Sequence, residues 1–191
     1  IEDGGPVCRE WYEDWVDLDP EDAAVHAAHA VNMLPGWYGS LSAFEREARR
    51  SVRLTEGVTG KASYAVFHIA ATEALGDLSP TMDLEYFLEA LHDFQSATGC
   101  QHRANVAAYL LSGMAMGFRK DGAEAAYQLT KTRAALSEVL WNRMREIQMD
   151  CWSSRTESLA FAMAEVFGPA LKRGARIVRR GEGLGTLVRR T

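Results

Sequence analysis

Apolar side chains recur every three or four residues through most of this chain, which is the spacing that buries one face of an α-helix. The clearest run consists of Leu84, Phe87, Leu88, Leu91 and Phe94. No segment shows the strict alternation of apolar and polar residues, rich in β-branched side chains, that is typical of a half-buried strand. The pattern therefore predicts an all-α fold.

Capping and turn residues divide this pattern into a bundle of about seven helices. An Asp-Pro pair at 19–20 predicts the start of the first helix, and Ser42 with Glu45 predicts a capping box at the start of the second. Gly57 and Gly60 are expected to break that second helix. The helices are predicted over approximately 20–34, 42–56, 61–75, 80–98, 102–116, 121–147 and 154–167.

Charge distinguishes the two ends of the chain from this helical centre. Residues 1–22 hold nine acidic side chains and one basic, whereas residues 172–191 hold seven basic and one acidic. We therefore expect an acidic, aromatic N-terminal arm over 1–18, extended in its first ten residues, a single helical bundle domain over 19–170 and a basic tail rich in glycine and arginine over 171–191. Ends of opposite charge point to partners of complementary charge, in the first place other protein subunits.

Composition changes the picture only by exclusion. The chain has 191 residues, of which 47% are hydrophobic and 25% charged, as in ordinary globular proteins. No window approaches the roughly 18–20 consecutive apolar residues of a transmembrane segment. Cys8, Cys100 and Cys151 form no disulfide framework, which predicts a reducing compartment such as the cytoplasm. Because the sequence begins at Ile1 and its first methionine is Met33, a processed N-terminus is also expected, and an organelle interior fits as well.

Three large aromatic side chains stand close together in the acidic arm: Trp11, Tyr12 and Trp15. One hypothesis is that they complete the core of the bundle; the other is that they anchor the arm to another subunit, because aromatic residues beside charges are typical of interfaces. The basic tail is either a solvated, disordered segment or a second interaction surface. Its candidate residues are Arg173, Arg176, Arg179, Arg180, Arg189 and Arg190.

Two histidine patterns match parts of known kinds of metal site. Glu89 and His92 are three residues apart on one predicted helix face, an arrangement that di-iron bundles use twice, but this chain has no second copy. His26 and His29 lie one turn apart on the first predicted helix and need further ligands to hold zinc. Solvated or partly buried histidines explain both patterns better than metal sites do.

A third pattern combines His68, the adjacent His92 and Asp93, and a later acid such as Asp150. Their order and rough spacing resemble the metal ligands of HD-type phosphohydrolases, a family that is also all-α. The resemblance implies a divalent metal ion that activates water for attack on a phosphate ester. Phe94 follows the His-Asp pair here, without the small and glycine residues that commonly follow it in the family.

The remaining motifs of enzymes and nucleic-acid-binding proteins are missing. The chain has no Gly-x-Ser-x-Gly, no glycine-rich phosphate loop, and no helix-turn-helix, zinc-finger or RNA-binding signature. The tail could contact nucleic acid or an anionic surface, but the acidic remainder of the chain would repel both.

We therefore expect a non-enzymatic helical subunit of a larger multi-protein assembly, docked through its oppositely charged termini and without a cofactor. The first alternative is a metal-dependent HD-type phosphohydrolase, which needs a divalent metal. The second is a nucleocapsid-like protein that polymerises on nucleic acid.

Overall fold

The computed structural model describes residues 6–76, 81–96, 100–118, 122–152, 156–172, 176–178 and 186–188. Within these residues it contains eight α-helices, and the all-α prediction is confirmed. The helices are α1 (Pro6–Leu18), α2 (Ala23–Asn32), α3 (Leu41–Thr59), α4 (Ala62–Leu75), α5 (Leu84–Ser96), α6 (Gln101–Gly117), α7 (Ala123–Glu138) and α8 (Thr156–Lys172). None of the helices in this part of the chain is long and apolar enough to cross a membrane.

The chain divides into two compact units, Ile1–Ala97 and Thr98–Thr191. The division falls between α5 and α6, inside the stretch 19–170 that the sequence predicts as a single bundle. The predicted limits of the arm and the tail, at residues 18 and 170, stay predictions.

Helix α4 forms the centre of the first unit, with α2, α3 and α5 packed against it. Every side chain from 62 to 68 is buried, because this helix is apolar around most of its circumference. The chain turns from α3 into α4 at Gly60, whose φ of +59° favours glycine. Asp93 on α5 then accepts a hydrogen bond from the backbone N–H of Lys61 at 2.8 Å, which satisfies one of the unpaired donors at the start of α4.

The N-terminal segment is helical from Pro6, whereas the sequence analysis expects residues 1–10 to be extended. Proline suits the first helical position, where its missing N–H removes no hydrogen bond. Tyr12 and Val16, one turn apart, are each only 3% exposed, and α1 packs against α2. This burial stabilises the helix, and the many acidic residues between the apolar ones conceal its period in the sequence. Residues 1–5 lie outside the described part of the chain.

Local signals locate the other helices but misplace several ends. Asp22 caps α2 in place of Asp19, and Ser40 caps α3 in place of Ser42, because these side chains accept hydrogen bonds from N–H groups of the first turn. Helix α3 also runs through Gly57, which does not break it. An isolated glycine costs only about 1 kcal/mol in a helix, and the packing of α3 on α4 offsets that cost.

Helix α6 is the centre of the second unit, with α7 and α8 packed against it. Its buried face is built from small and aliphatic residues: Ala104, Ala107, Ala108, Leu111, Met114 and Ala115. After α7, the chain forms a π-helical turn at Val139–Arg143 and a 3₁₀ turn at Met149–Cys151. Further on, strands β1 (Arg176–Val178) and β2 (Thr186–Val188) pair antiparallel, with Ile177 opposite Leu187.

Candidate functional site

Helix α1 presents an exposed apolar stripe beside its buried face. Trp11, Trp15 and Leu18 are spaced one turn apart and are 68%, 53% and 80% exposed. Tyr12 and Val16 lie about 100° further round the helix and point into the core. The sequence analysis leaves open whether the aromatic residues belong to the core or to an interface. The structure divides them: Tyr12 is a core residue, and the two tryptophans are surface residues.

The tryptophans form one wall of a groove between α1 and α2. Its volume is about 380 Å³, which falls within the range of sites that hold small ligands or single side chains of a partner. The lining residues are Cys8, Trp11, Tyr12, Trp15, Val25, Ala28, His29 and Asn32. A concave apolar surface of this kind favours association, because burial of its aromatic rings removes a large area from water.

Acidic side chains follow the same helix on the side of the groove away from the core. Glu10, Asp14 and Asp17 repeat with the same one-turn spacing, and all three are exposed. Each of these acids immediately precedes one residue of the apolar stripe in the sequence. Because successive residues of a helix are about 100° apart, the acidic stripe lies about 100° from the apolar stripe around the helix axis. None of these acids lines the groove, so they form a negatively charged surface of α1 next to its tryptophan wall.

Buried hydrogen bonds hold the floor of the groove in place. The hydroxyl of Tyr12 donates to Nδ1 of His26 at 2.8 Å, and Nε2 of His26 donates to the backbone carbonyl of Pro20 at 3.0 Å. A carbonyl can only accept, so the proton of neutral His26 lies on Nε2. Burial lowers the pKa of His26, even though the Pro20 carbonyl favours the charged form. The ring of His29 stacks on Tyr12, with 4.1 Å between ring centroids.

Below this floor lies Glu47, which is 4% exposed and is bound by residues from three helices. Its carboxylate accepts from Nε of Arg9 at 2.9 Å, lies 3.5 Å from Nε2 of His29, and lies 3.4 Å from Nη1 of Arg50. Burial alone would raise the pKa of Glu47, but the contacts with His29 and Arg9 outweigh burial and lower it. Glu47 thus ties α1 and α2 to α3 as an anion.

A second carboxylate, Glu45, accounts for the position of His68. Nε2 of His68 lies 3.4 Å from Oε2 of Glu45, and the same carboxylate accepts from Nε of Arg49 at 2.7 Å and from the Tyr64 hydroxyl at 3.1 Å. Burial would raise the pKa of Glu45, and the contacts with His68 and Arg49 lower it overall. His68 is 1% exposed, so this pair belongs to the packed core.

The histidines and the aspartate predicted as HD-type ligands are not brought together in the described residues. His68 contacts Glu45, Asp93 caps α4 through Lys61, and His92 is exposed on α5. His26 and His29 also have protein partners within the core, as described above. The arginines proposed for the tail lie outside the described residues, except for the backbone of Arg176 in β1.

One group of metal-ligating side chains does come together, in the second unit. One ligand atom from each of His102, Asp150 and Cys151 lies within 4.8 Å of the other two. Burial raises the pKa of the Cys151 thiol, and the negative charges of Asp150 and Cys100 raise it further. From the sequence, Asp150 is predicted only as a later acid in the pattern of His68, His92 and Asp93, and His102 is not predicted as a ligand. The spacing Cys100-x-His102 at the start of a helix was a usable signal.

No family model, curated protein or solved structure matches this chain.

Proposed function

We propose that this protein is a helical interaction subunit of a larger assembly, and that the groove between α1 and α2 is its docking surface. The observation that supports this proposal is the pair of exposed tryptophans, Trp11 and Trp15, on one wall of an apolar groove. Tryptophan is enriched among the residues that dominate binding energy at protein interfaces, and two exposed rings one turn apart gain from burial by a partner.

The negative charge on α1 favours a partner of positive charge. The acidic stripe of Glu10, Asp14 and Asp17 favours a partner that carries lysine or arginine beside its apolar residues. An apolar groove between two helices suits an amphipathic partner helix, which inserts apolar side chains at one-turn spacing. The proposed partner is therefore a protein helix with an apolar face and a basic edge. The arginines at 173–190 are proposed as a second contact, with an acidic surface of the same assembly.

A defined pair of peptides tests the groove. One is an amphipathic helix of leucine and lysine, and the other replaces each lysine by glutamate. Anisotropy of a fluorescent label on the peptide measures its binding to the full chain. We expect the lysine peptide to bind more tightly than the glutamate peptide and its affinity to fall as salt rises, since exposed charges are screened.

The double variant Trp11→Ala/Trp15→Ala should bind the lysine peptide at least about tenfold more weakly, which corresponds to about 1.4 kcal/mol of binding free energy. Trp37→Ala is the matched control, because Trp37 is 52% exposed but does not line the groove. Equal binding of both peptides would contradict the basic partner. Unchanged binding by the double variant would contradict the groove itself.

The assembly can be tested in the natural source. Native mass spectrometry of gently purified protein should find this chain in a large complex, and the complex should release it as the salt concentration rises. A chain that carries the two tryptophan substitutions should be recovered alone, whereas one with Trp37→Ala should remain in the complex. The HD-type phosphohydrolase and the nucleocapsid-like protein are the other two hypotheses, and no contact among the described residues favours either.

A further inference from the structure

The most informative group outside the groove is the cluster of His102, Asp150 and Cys151 in the second unit. Sγ of Cys151 lies 3.4 Å from Nδ1 of His102, and the Asp150 carboxylate completes a triangle with no side longer than 4.8 Å. These three residues offer a thiolate, an imidazole and a carboxylate. That set suits a borderline transition cation such as Zn²⁺, whereas Ca²⁺ and Mg²⁺ prefer oxygen ligands alone.

The distance between the Cys151 sulfur and the His102 nitrogen matches one edge of a coordination tetrahedron. Zinc binds sulfur at about 2.3 Å and imidazole nitrogen at about 2.0–2.1 Å, so a tetrahedral ion sets its sulfur and nitrogen ligands about 3.6 Å apart. The observed separation of Sγ and Nδ1 is 3.4 Å. The two side chains therefore need little rearrangement to share an ion.

The backbone that carries these ligands is held from beneath by Asn105, which is fully buried one turn after His102. Its side-chain oxygen accepts from the backbone N–H of Gln148 and from Nε1 of Trp152, both at 2.9 Å. Its side-chain nitrogen donates to the carbonyl of Glu146 at 2.9 Å. Because these bonds fix the chain on both sides of residues 150–151, the cluster is positioned before any ion binds.

A fourth ligand is available in Cys100. It occupies the N-cap position of α6, two residues before His102, and it is exposed. Its position two residues before His102 places it beside the cluster, although its Sγ is not among the three ligand atoms that lie within 4.8 Å of one another. The Cys100 thiol would have to turn toward the ion to bind it, and four protein ligands are the rule for structural zinc sites.

We propose that His102, Asp150, Cys151 and Cys100 form a structural Zn²⁺ site that joins the start of α6 to the 3₁₀ turn at Met149–Cys151. Binding would release the proton of the Cys151 thiol, and the cation would hold the resulting thiolate beside the Asp150 carboxylate. This site lies in the second unit and does not depend on the docking groove of the first. The expected consequence of binding is a more stable second unit.

Cobalt provides the direct test, because Co²⁺ adopts zinc-like sites and gives visible and thiolate charge-transfer absorption. The full chain is stripped of metal with a chelator under reducing conditions and titrated with Co²⁺, and Zn²⁺ is then added in competition. We expect one equivalent of Co²⁺ to produce tetrahedral absorption with a thiolate band, and one equivalent of Zn²⁺ to remove it. Zn²⁺ should also raise the melting temperature.

Cys151→Ser and His102→Ala should each weaken Zn²⁺ binding by more than the roughly 10- to 100-fold loss that follows removal of an outer-sphere partner. His102 is exposed, so its substitution leaves the fold intact. Cys8→Ser and His92→Ala are the matched controls, since both residues lie in the first unit. Both variant chains should bind metal as the unmodified chain does.

Three results would overturn the proposal. If the reduced chain with Co²⁺ showed no tetrahedral absorption, the proposed metal site would not exist. Undiminished Zn²⁺ affinity in His102→Ala and Cys151→Ser would place the ion elsewhere. Undiminished affinity in Cys100→Ser would overturn the four-ligand form of the site.

Discussion

The two units treat their ionisable side chains in opposite ways. The first unit buries them: Glu47, His26, His29 and His68 are all less than 5% exposed and lie in contact with protein partners. The second unit instead buries a neutral amide, Asn105, and leaves its cluster of His102, Asp150 and Cys151 at or near the surface.

This difference separates buried groups that hold helices together from surface groups that are accessible to a ligand. The Glu47 carboxylate is buried against an imidazole and guanidinium groups, so it is closed to a ligand from solvent and serves to tie helices together. The cluster of His102, Asp150 and Cys151 lies at the surface, on a backbone that the hydrogen bonds of Asn105 hold in place. An ion could bind there without disturbing the packing of the core. The presence of a histidine in the sequence was therefore weak evidence for a metal site, since most histidines of the first unit are packed in the core.

The largest effect on stability is expected for Asn105→Ala in the second unit. The amide of Asn105 makes four hydrogen bonds, which is its full capacity. Its loss leaves the buried Nε1 of Trp152 and the part-buried N–H of Gln148 without this acceptor. We expect the free energy of unfolding to fall by about 3–4 kcal/mol, measured by urea denaturation and circular dichroism.

Asn142→Ala is the matched control, because Asn142 is exposed and should change stability by less than about 0.5 kcal/mol. The same Asn105 variant should also bind Zn²⁺ about 10- to 100-fold more weakly, as expected for loss of support behind metal ligands. If Asn105→Ala had the same free energy of unfolding as the unmodified chain, the hydrogen bonds of this amide would not be what holds the cluster in place.

A somewhat smaller effect is expected for Glu47→Ala in the first unit. The substitution removes the anion that Arg9, Arg50 and His29 share. Both guanidinium groups are 28% exposed and can be hydrated, and Arg50 keeps its ion pair with Glu13. We expect a loss of about 2–3 kcal/mol in the free energy of unfolding, which is below the cost of stranding a fully buried charge. Glu56→Ala on the exposed side of α3 should have almost no effect, and equal losses in the two variants would contradict the buried ion pair as a tie between helices.

The sequence located seven of the eight α-helices of the described residues, because their period and their breakers are local. Leu84, Phe87 and Leu91 belong to one stripe whatever the rest of the chain does, and α5 forms there. The same local rules missed α1, since the acidic residues around Tyr12 obscure an apolar face that exists only through its contact with α2.

Contacts between distant residues were beyond local reasoning. Arg9 and Glu47 are 38 residues apart, and His102 and Cys151 are 49 residues apart. No periodicity links such pairs, because the packing of the helices decides which side chains meet. The pair His92 and Asp93 illustrates the converse: residues adjacent in sequence serve different neighbours, and Asp93 is occupied by the backbone of Lys61.

The smallest effect, and the sharpest test of burial in the first unit, is the dependence of stability on pH. Burial lowers the pKa of His26 from its ordinary value of 6.5, so below that pH the unfolded chain binds a proton that the folded chain does not. The free energy of unfolding should therefore decrease as pH falls from 6.5 toward the lowered pKa, by at most about 1.4 kcal/mol per pH unit for this one group.

His26→Asn should flatten this part of the stability curve, because asparagine can still accept from the Tyr12 hydroxyl but does not titrate. Tyr12→Phe provides the contrast: it removes the hydroxyl and about 1 kcal/mol of stability at every pH, but leaves a buried imidazole and hence the slope. A slope that survives in His26→Asn would assign the pH dependence to other groups. A slope lost in Tyr12→Phe would show that the hydroxyl, rather than burial, sets the protonation of His26.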